Sequence, residues 1–357
     1  MQMKTDKLQK VIANMKAAGL KQLLITSPSN IAYLTGRMIH QGERLVALYI
    51  EDSGNVVFIA NRLFAQQPLG GAELVQYDDT DDTAVLLSRF VKDGVLGVDK
   101  DMKCRFALPL TDLRSNIKLT IGSSCIDRAR MVKTSEEIEL MRKASLLNDK
   151  VTEKTISAIR PGMSENEVAD LYRAFAAGEG TSESFESLIC FGENCAEPHH
   201  STDNTVIKAG DSVIIDVGVL FGGYCADMTR TVFLGSVTNE QQQVYELVQA
   251  ANAAGKAAVK PGVPLSEVDA VARNVIENAG YGKYFIHRTG HNIGSEVHEY
   301  PDVSMTSKEV CTPGMVFSVE PGIYLPGKFG VRIEDLVLVT ENGCECLNKL
   351  PRDLKVI

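Results

Sequence analysis

The chain has 357 residues, with 37 Lys and Arg against 46 Asp and Glu and a formal net charge of −9, which is length enough for two domains of ordinary size. An acidic balance without a Lys/Arg-rich run excludes nucleic acid and an anionic membrane surface as main partners, because each needs a positive footprint. No window supplies the ~18 apolar residues of a membrane span, Met1–Lys10 lacks the apolar centre of a signal peptide, and eight dispersed cysteines without a CxxC pair fit a reduced, cytoplasmic chain.

In chain order, residues 1–125 read as an α/β unit. A helix is predicted near Lys4–Gly19, followed by apolar strands at Gln22–Ile25, Leu45–Ile50 and Val56–Ala60, the last two joined by the turn Asp52-Ser53-Gly54-Asn55. Further short strands are predicted at Glu73–Tyr77, Val95–Val98 and Ile117–Ile121. A boundary falls within 125–133, giving domains 1–128 and 129–357. Thr134 with Glu137 three residues on is a capping-box signature, so a long helix is predicted from Ser135 to Ile159.

The second domain contains a weak internal repeat. Arg160-Pro161-Gly162-Met163-Ser164-Glu165 returns as Lys260-Pro261-Gly262-Val263-Pro264-Leu265, and Lys208–Gly218 aligns with Thr312–Gly322. In each copy a long helix is predicted to end at the Pro-Gly turn, with a new helix starting at or near a Ser cap and ending near Gly178 or Gly280. A duplicated α/β half packs about a pseudo-two-fold axis and leaves a cleft between the halves.

The aligned strands end in an acid, Asp216 and Glu320, and a second acid follows each on a neighbouring apolar segment, Asp227 and Glu334. Each alone could be an exposed side chain or the partner of Arg230 or Arg332. All four together could not, because Val213-Ile214-Ile215-Asp216-Val217 is apolar on both faces and so buried. Uncompensated buried charge costs several kcal/mol per ion. Cations are the natural compensation. Five of the six histidines lie nearby in sequence, His199 and His200 after Pro198, and His287, His291 and His298 in HRTGHNIGSEVH.

Asp216, Asp227, His291, Glu320 and Glu334, in the contexts DVG, ADMTRT, HRTGHNIG, VEPGIY and VRIED, resemble the five-ligand signature of the pita-bread metallopeptidases. Ser27–Gly36 looks like the small N-terminal domain of the prolidase, aminopeptidase P and creatinase branch. The resemblance covers essentially the whole chain. It implies an α/β (α+β) protein, with a small creatinase/prolidase-type N-terminal domain followed by a pseudo-two-fold pita-bread catalytic domain.

The resemblance also implies a site. Asp227 and Glu334 would each bridge two divalent cations, Asp216 completing one shell and His291 and Glu320 the other. An oxygen-rich set without thiolate suits Mn²⁺, with Co²⁺ or Zn²⁺ as alternatives. A water bridging the two ions would be the nucleophile, in the manner of dinuclear hydrolases, Glu320 would move the proton, and His199, His287 and His298 would surround the substrate and its oxyanion. Arg332 would either support the ligands or bind a substrate carboxylate. Some prolidases carry an Arg directly after HExP; here that residue is Asp302, so His298, Arg332 or a basic residue of the 37–44 loop, reaching across a homodimer, is the expected anchor. The implied function is hydrolysis of Xaa-Pro dipeptides. Alternatives are aminopeptidase P action, removing the N-terminal residue before proline from longer peptides, and, from another class, a non-catalytic binding module, against which the five intact ligand positions speak.

Overall fold

The computed structural model describes residues 3–64 and 67–357. The chain divides into two units, Met1–Arg130 and Met131–Ile357. In the first, strands β1 (Gln22–Ile25), β2 (Val46–Glu51), β3 (Val56–Asn61), β4 (Glu73–Tyr77), β5 (Gly94–Val98) and β6 (Ile117–Ile121) form one mixed sheet in the order β4-β3-β2-β1-β5-β6. The β2–β3 hairpin turns where Asp52–Asn55 predicted it. Side chains alternate across β1, so both faces need cover. Leu23 and Ile25 pack with α1 (Thr5–Ala17), α2 (Pro28–Thr35) and residues of the Ser124–Met131 helix. Leu24 packs on the other side with the Thr83–Ser88 and Cys104–Leu113 helices. In chain order these last three are α3 (Thr83–Ser88), α4 (Cys104–Leu113) and α5 (Ser124–Met131).

In the second unit α6 (Ser135–Ala158) starts from the predicted Thr134–Glu137 capping box, and α7 (Glu165–Gly178) starts from a second one, Ser164–Glu167. Helices α8 (Asn239–Ala258) and α9 (Leu265–Asn278) repeat the hairpin. Gly162 at φ +87° and Gly262 at φ +82° make the two turns in a conformation that other residues adopt only with strain. The expected Ser cap fails in the second copy. Pro264 takes the cap position with no side-chain bond, and Ser266 lies inside the first turn of α9. A proline is tolerated there because the helix start leaves amides unbonded in any case.

The repeat extends to individual hydrogen bonds. Ile207 N donates to Met163 O at 2.9 Å and Cys311 N to Val263 O at 2.8 Å. Asn148 of α6 donates to Val217 O at 2.9 Å, and Asn252 of α8 to Val319 O at 2.8 Å.

The strands of this unit are β7 (Ser182–Glu183), β8 (Leu188–Phe191), β9 (Ser212–Val217), β10 (Val219–Phe221), β11 (Tyr224–Cys225), β12 (Met228–Phe233), β13 (Gly290–Asn292), β14 (Glu299–Val303), β15 (Val316–Val319), β16 (Gly322–Leu325), β17 (Phe329–Arg332), β18 (Asp335–Thr340) and β19 (Gly343–Cys346). They form the sheets β12-β9-β8, β11-β10-β7, β14-β13-β15-β18-β19 and β16-β17. Strand alternation then sorts the chemistry. Val213, Ile215 and Val217 pack with α6 and α7, and Phe317 and Val319 pack with α9. Asp216, Ser318 and Glu320 therefore fall on the opposite face.

No helix among the described residues is long and apolar enough to cross a membrane. None of the eight cysteines is in a disulfide.

Candidate metal centre

Asp216 sits near the end of β9, and Glu320 is the first residue after β15. Asp227 occupies the break between β11 and β12, and Glu334 the break between β17 and β18. All four, with His199, His287, His291, His298 and Arg332, line one cavity of about 690 Å³ within the second unit. The nine residues singled out from the sequence are therefore brought together.

The carboxylates are crowded and short of positive charge. Carboxylate and imidazole atoms of Asp227, His291 and Glu334 all lie within 4.8 Å of one another. Burial, then repulsion from Asp216 and Glu320, pushes the Asp227 carboxyl well above its ordinary range. Glu334 is pushed up likewise by burial and then by Asp227. Burial raises Glu320 to about 7, with Arg332 opposing and Asp216 adding. Among the described residues lining the cavity the buried cation is Arg332, whose Nη2 lies 2.6 Å from Asp216 Oδ2. Arg332 Nε donates to Thr229 Oγ1 at 3.1 Å, and that hydroxyl donates to Glu334 Oε2 at 2.7 Å.

Two carboxylate oxygens, Asp216 Oδ1 and Glu334 Oε1, are buried without any hydrogen-bond partner. An orphaned buried carboxylate oxygen is costly, and a bound cation would satisfy it. His291 is prepared in the same sense. Its Nδ1 faces the Asn292 carbonyl at 3.2 Å, which can only accept, so the proton sits on Nδ1. Nε2 then turns its lone pair toward Glu320 Oε1 at 3.3 Å and Asp227 Oδ2 at 3.7 Å. Burial lowers the imidazole to about 3, so it stays neutral. Four carboxylates and one neutral imidazole fit a divalent cation that accepts oxygen ligands.

His287 has a different setting. Its Nδ1 donates to the Arg288 carbonyl at 2.7 Å, so Nε2 accepts from the Tyr324 hydroxyl at 2.8 Å. Tyr324 in turn accepts from Arg332 Nη1 at 3.0 Å. Burial, then the Arg332 charge, lowers His287 to about 3, and burial raises Tyr324 to about 12. The ring is neutral, and both its nitrogens are engaged within the protein.

Sequence reasoning passed over Tyr324, which ties His287 to Arg332. A signal was present in Gly322, two residues earlier on the same strand face, where a Cβ would lie 2.4 Å from the Tyr324 hydroxyl oxygen. His200, adjacent to His199, has another partner. Its Nε2 lies 3.1 Å from Glu165 Oε2, a fully buried carboxylate that also accepts from the Phe191, Asn194 and Asp203 nitrogens. Glu165 thus fixes the loop that carries Pro198 and His199. His298 is followed by Glu299, whose Oε2 pairs with buried Lys133 at 3.3 Å.

Comparison with known proteins agrees with this geometry. Residues 139–341 match the model of metallopeptidase family M24, and residues 7–132 match that of the creatinase/prolidase N-terminal domain. An uncharacterized peptidase of Staphylococcus saprophyticus is 38% identical over 348 residues, spanning 96% of this chain and 98% of that one. A prolidase from Thermococcus sibiricus superposes with a TM-score of 0.93 at 36% identity over 99% of both chains. A dipeptidase from Pyrococcus horikoshii OT3 gives 0.92 at 34% identity over 98% of this chain and 100% of that one.

Proposed function

The chain belongs to metallopeptidase family M24, and on that premise we propose that it is a dipeptidase hydrolysing the Xaa-Pro bond with two divalent cations, Mn²⁺ first among them. The observation that carries this reading is the excess of buried carboxylate over buried cation, with two orphaned oxygens. The prolidase and dipeptidase among the similar structures support the choice of substrate.

Asp227 and Glu334 would hold both ions, Asp216 one, and His291 with Glu320 the other. Cations bound there supply Lewis-acid polarisation of the scissile carbonyl and acidify a water. The chain's own residues do the rest. Glu320, steadied by the Ser318 hydroxyl at 3.0 Å, can take a proton and return it to the leaving nitrogen. His199 and His298 face the substrate as hydrogen-bonding groups. Neutral His287 holds the Tyr324 hydroxyl, and through it the Arg332 guanidinium, in place. Arg332 donates four hydrogen bonds, to Asp216, Thr229, Tyr324 and the Pro198 carbonyl, which supports a role in orienting Asp216.

Turnover of Ala-Pro and Ala-Pro-Ala by the Mn²⁺-loaded protein tests the reading. Hydrolysis of the dipeptide is expected, cleavage of the tripeptide alone makes the protein an aminopeptidase P, and no turnover with either Mn²⁺ or Co²⁺ makes it a binding module. Metal analysis should give two ions per chain, and one in His291→Ala.

A further inference from the structure

A dipeptide brings a free carboxylate into the cavity at a fixed distance from its scissile bond. Drawn out of water, that group needs a cation with free donors. Among the described residues of the lining, two carry a permanent positive charge, Arg332 and Arg288. Arg332 is 3% exposed, and each of its three guanidinium nitrogens already donates to a protein acceptor. Arg288 is different. Its side chain is 36% exposed and forms an ion pair from Nη1 to Asp302 Oδ1 at 2.8 Å, leaving most of a five-donor fork available.

The position of this pair is fixed by the sheet. Asp302 stands opposite His291 in the β13–β14 ladder, and Arg288 lies three residues before His291. Arg288 lines the same cavity as His291, His298 and Glu320. Asp302 is half exposed, at 50%, so water can take over its solvation if it is released. An incoming carboxylate can therefore replace one carboxylate by another at the same guanidinium with little net cost in charge.

We propose that Arg288 anchors the free carboxylate of the substrate, which it takes in exchange for Asp302. Resting on the dipeptidase reading, the assignment gives the site its preference for a chain that ends directly after the cleaved bond's proline. Asp302 holds the guanidinium over the cavity in the free enzyme and competes with the substrate for it.

Ala-Pro and Ala-Pro amide share the scissile bond and differ in the carboxylate. With the Mn²⁺-loaded enzyme the acid should be preferred in kcat/KM by on the order of 10- to 100-fold, the usual worth of a charge-assisted contact. In Arg288→Met that preference should collapse toward one, and Arg288→Lys should restore part of it. Asp302→Asn should lower KM for the acid by removing the competitor. Equal losses on acid and amide in Arg288→Met, or no preference in the parent, would overturn the anchor. A raised KM in Asp302→Asn would overturn the exchange. A parent that cleaves Ala-Pro-Ala but not Ala-Pro overturns the dipeptidase reading instead, so the two failures are distinguishable.

Discussion

Glu334 and Asp335 are neighbours in the chain and both are buried, yet their surroundings are opposite. Asp335 faces three cations: Arg230 at 2.9 Å, Arg352 at 2.6 Å and Lys256 at 2.5 Å. Burial alone would raise its carboxyl, but these charges hold it well below the ordinary range. Glu334 faces three other carboxylates, is pushed the other way, and keeps one oxygen without a partner. A buried acid is thus no signal in itself. What distinguishes a cation site is an acid that the chain has buried and not neutralised, because the missing charge must then come from outside.

That contrast can be broken by substitution, and the largest effect is expected at the under-neutralised end. Asp227→Asn should cut kcat of the metal-loaded enzyme by more than about 10³-fold, beyond the 10–100-fold typical of residues that only support a ligand. The same change should raise the stability of the chelator-treated protein at pH 8, since it removes a repelled charge. Full activity of the variant, or a loss of stability after chelation, would contradict the placing of Asp227 in the cation site. At the neutralised end, Asp335→Asn should cost about 3–5 kcal/mol by leaving buried cations unpaired. Urea unfolding should show this loss equally with and without metal. A loss that disappears on chelation would mean that Asp335 belongs to the cation site, and the contrast would fall.

The adjacent pair also shows where the sequence stops being informative. An acid ending an apolar strand is visible as a break in pattern, which is why Asp216, Asp227, Glu320 and Glu334 stand out. Asp335 makes the same break, and nothing local distinguishes it from Glu334. Its partners Arg230, Lys256 and Arg352 come from β12, α8 and the C-terminal segment, and only folding brings them together. Helix ends were legible wherever a side chain caps them, as at Thr134 and Ser164, and misread at Pro264, where geometry replaces a cap. His199 and His200 are adjacent in sequence, but only the fold turns one toward the cavity and the other toward Glu165. Tyr324 was hidden for a related reason, since its importance lies in two partners from β17 and the His287 segment.

The smallest expected effect sharpens the contrast without altering a residue. Glu320 has an ordinary value of 4.5 that burial raises to about 7 in the fold. Between those values Glu320 holds a proton in the folded chelated protein that the unfolded chain releases, so its contribution to stability falls as pH rises through that window. The raised Asp227 and Glu334 carboxyls act in the same direction. Asp335 adds no slope there. Its value is depressed, so its contribution is complete above the ordinary 3.8 and fades only as pH drops through the lower folded value. Metal should invert the trend, because cations bind the deprotonated acids and bind more tightly as protons leave. Below 6.5 the lowered His287 and His291 act in the opposite sense, so the comparison is read as a difference: urea unfolding from pH 5 to 8 should give a profile that rises more steeply with Mn²⁺ than with chelator. Parallel profiles would mean that the buried acids are neutralised by the chain after all, and that Glu334 differs from Asp335 only in its neighbours' names.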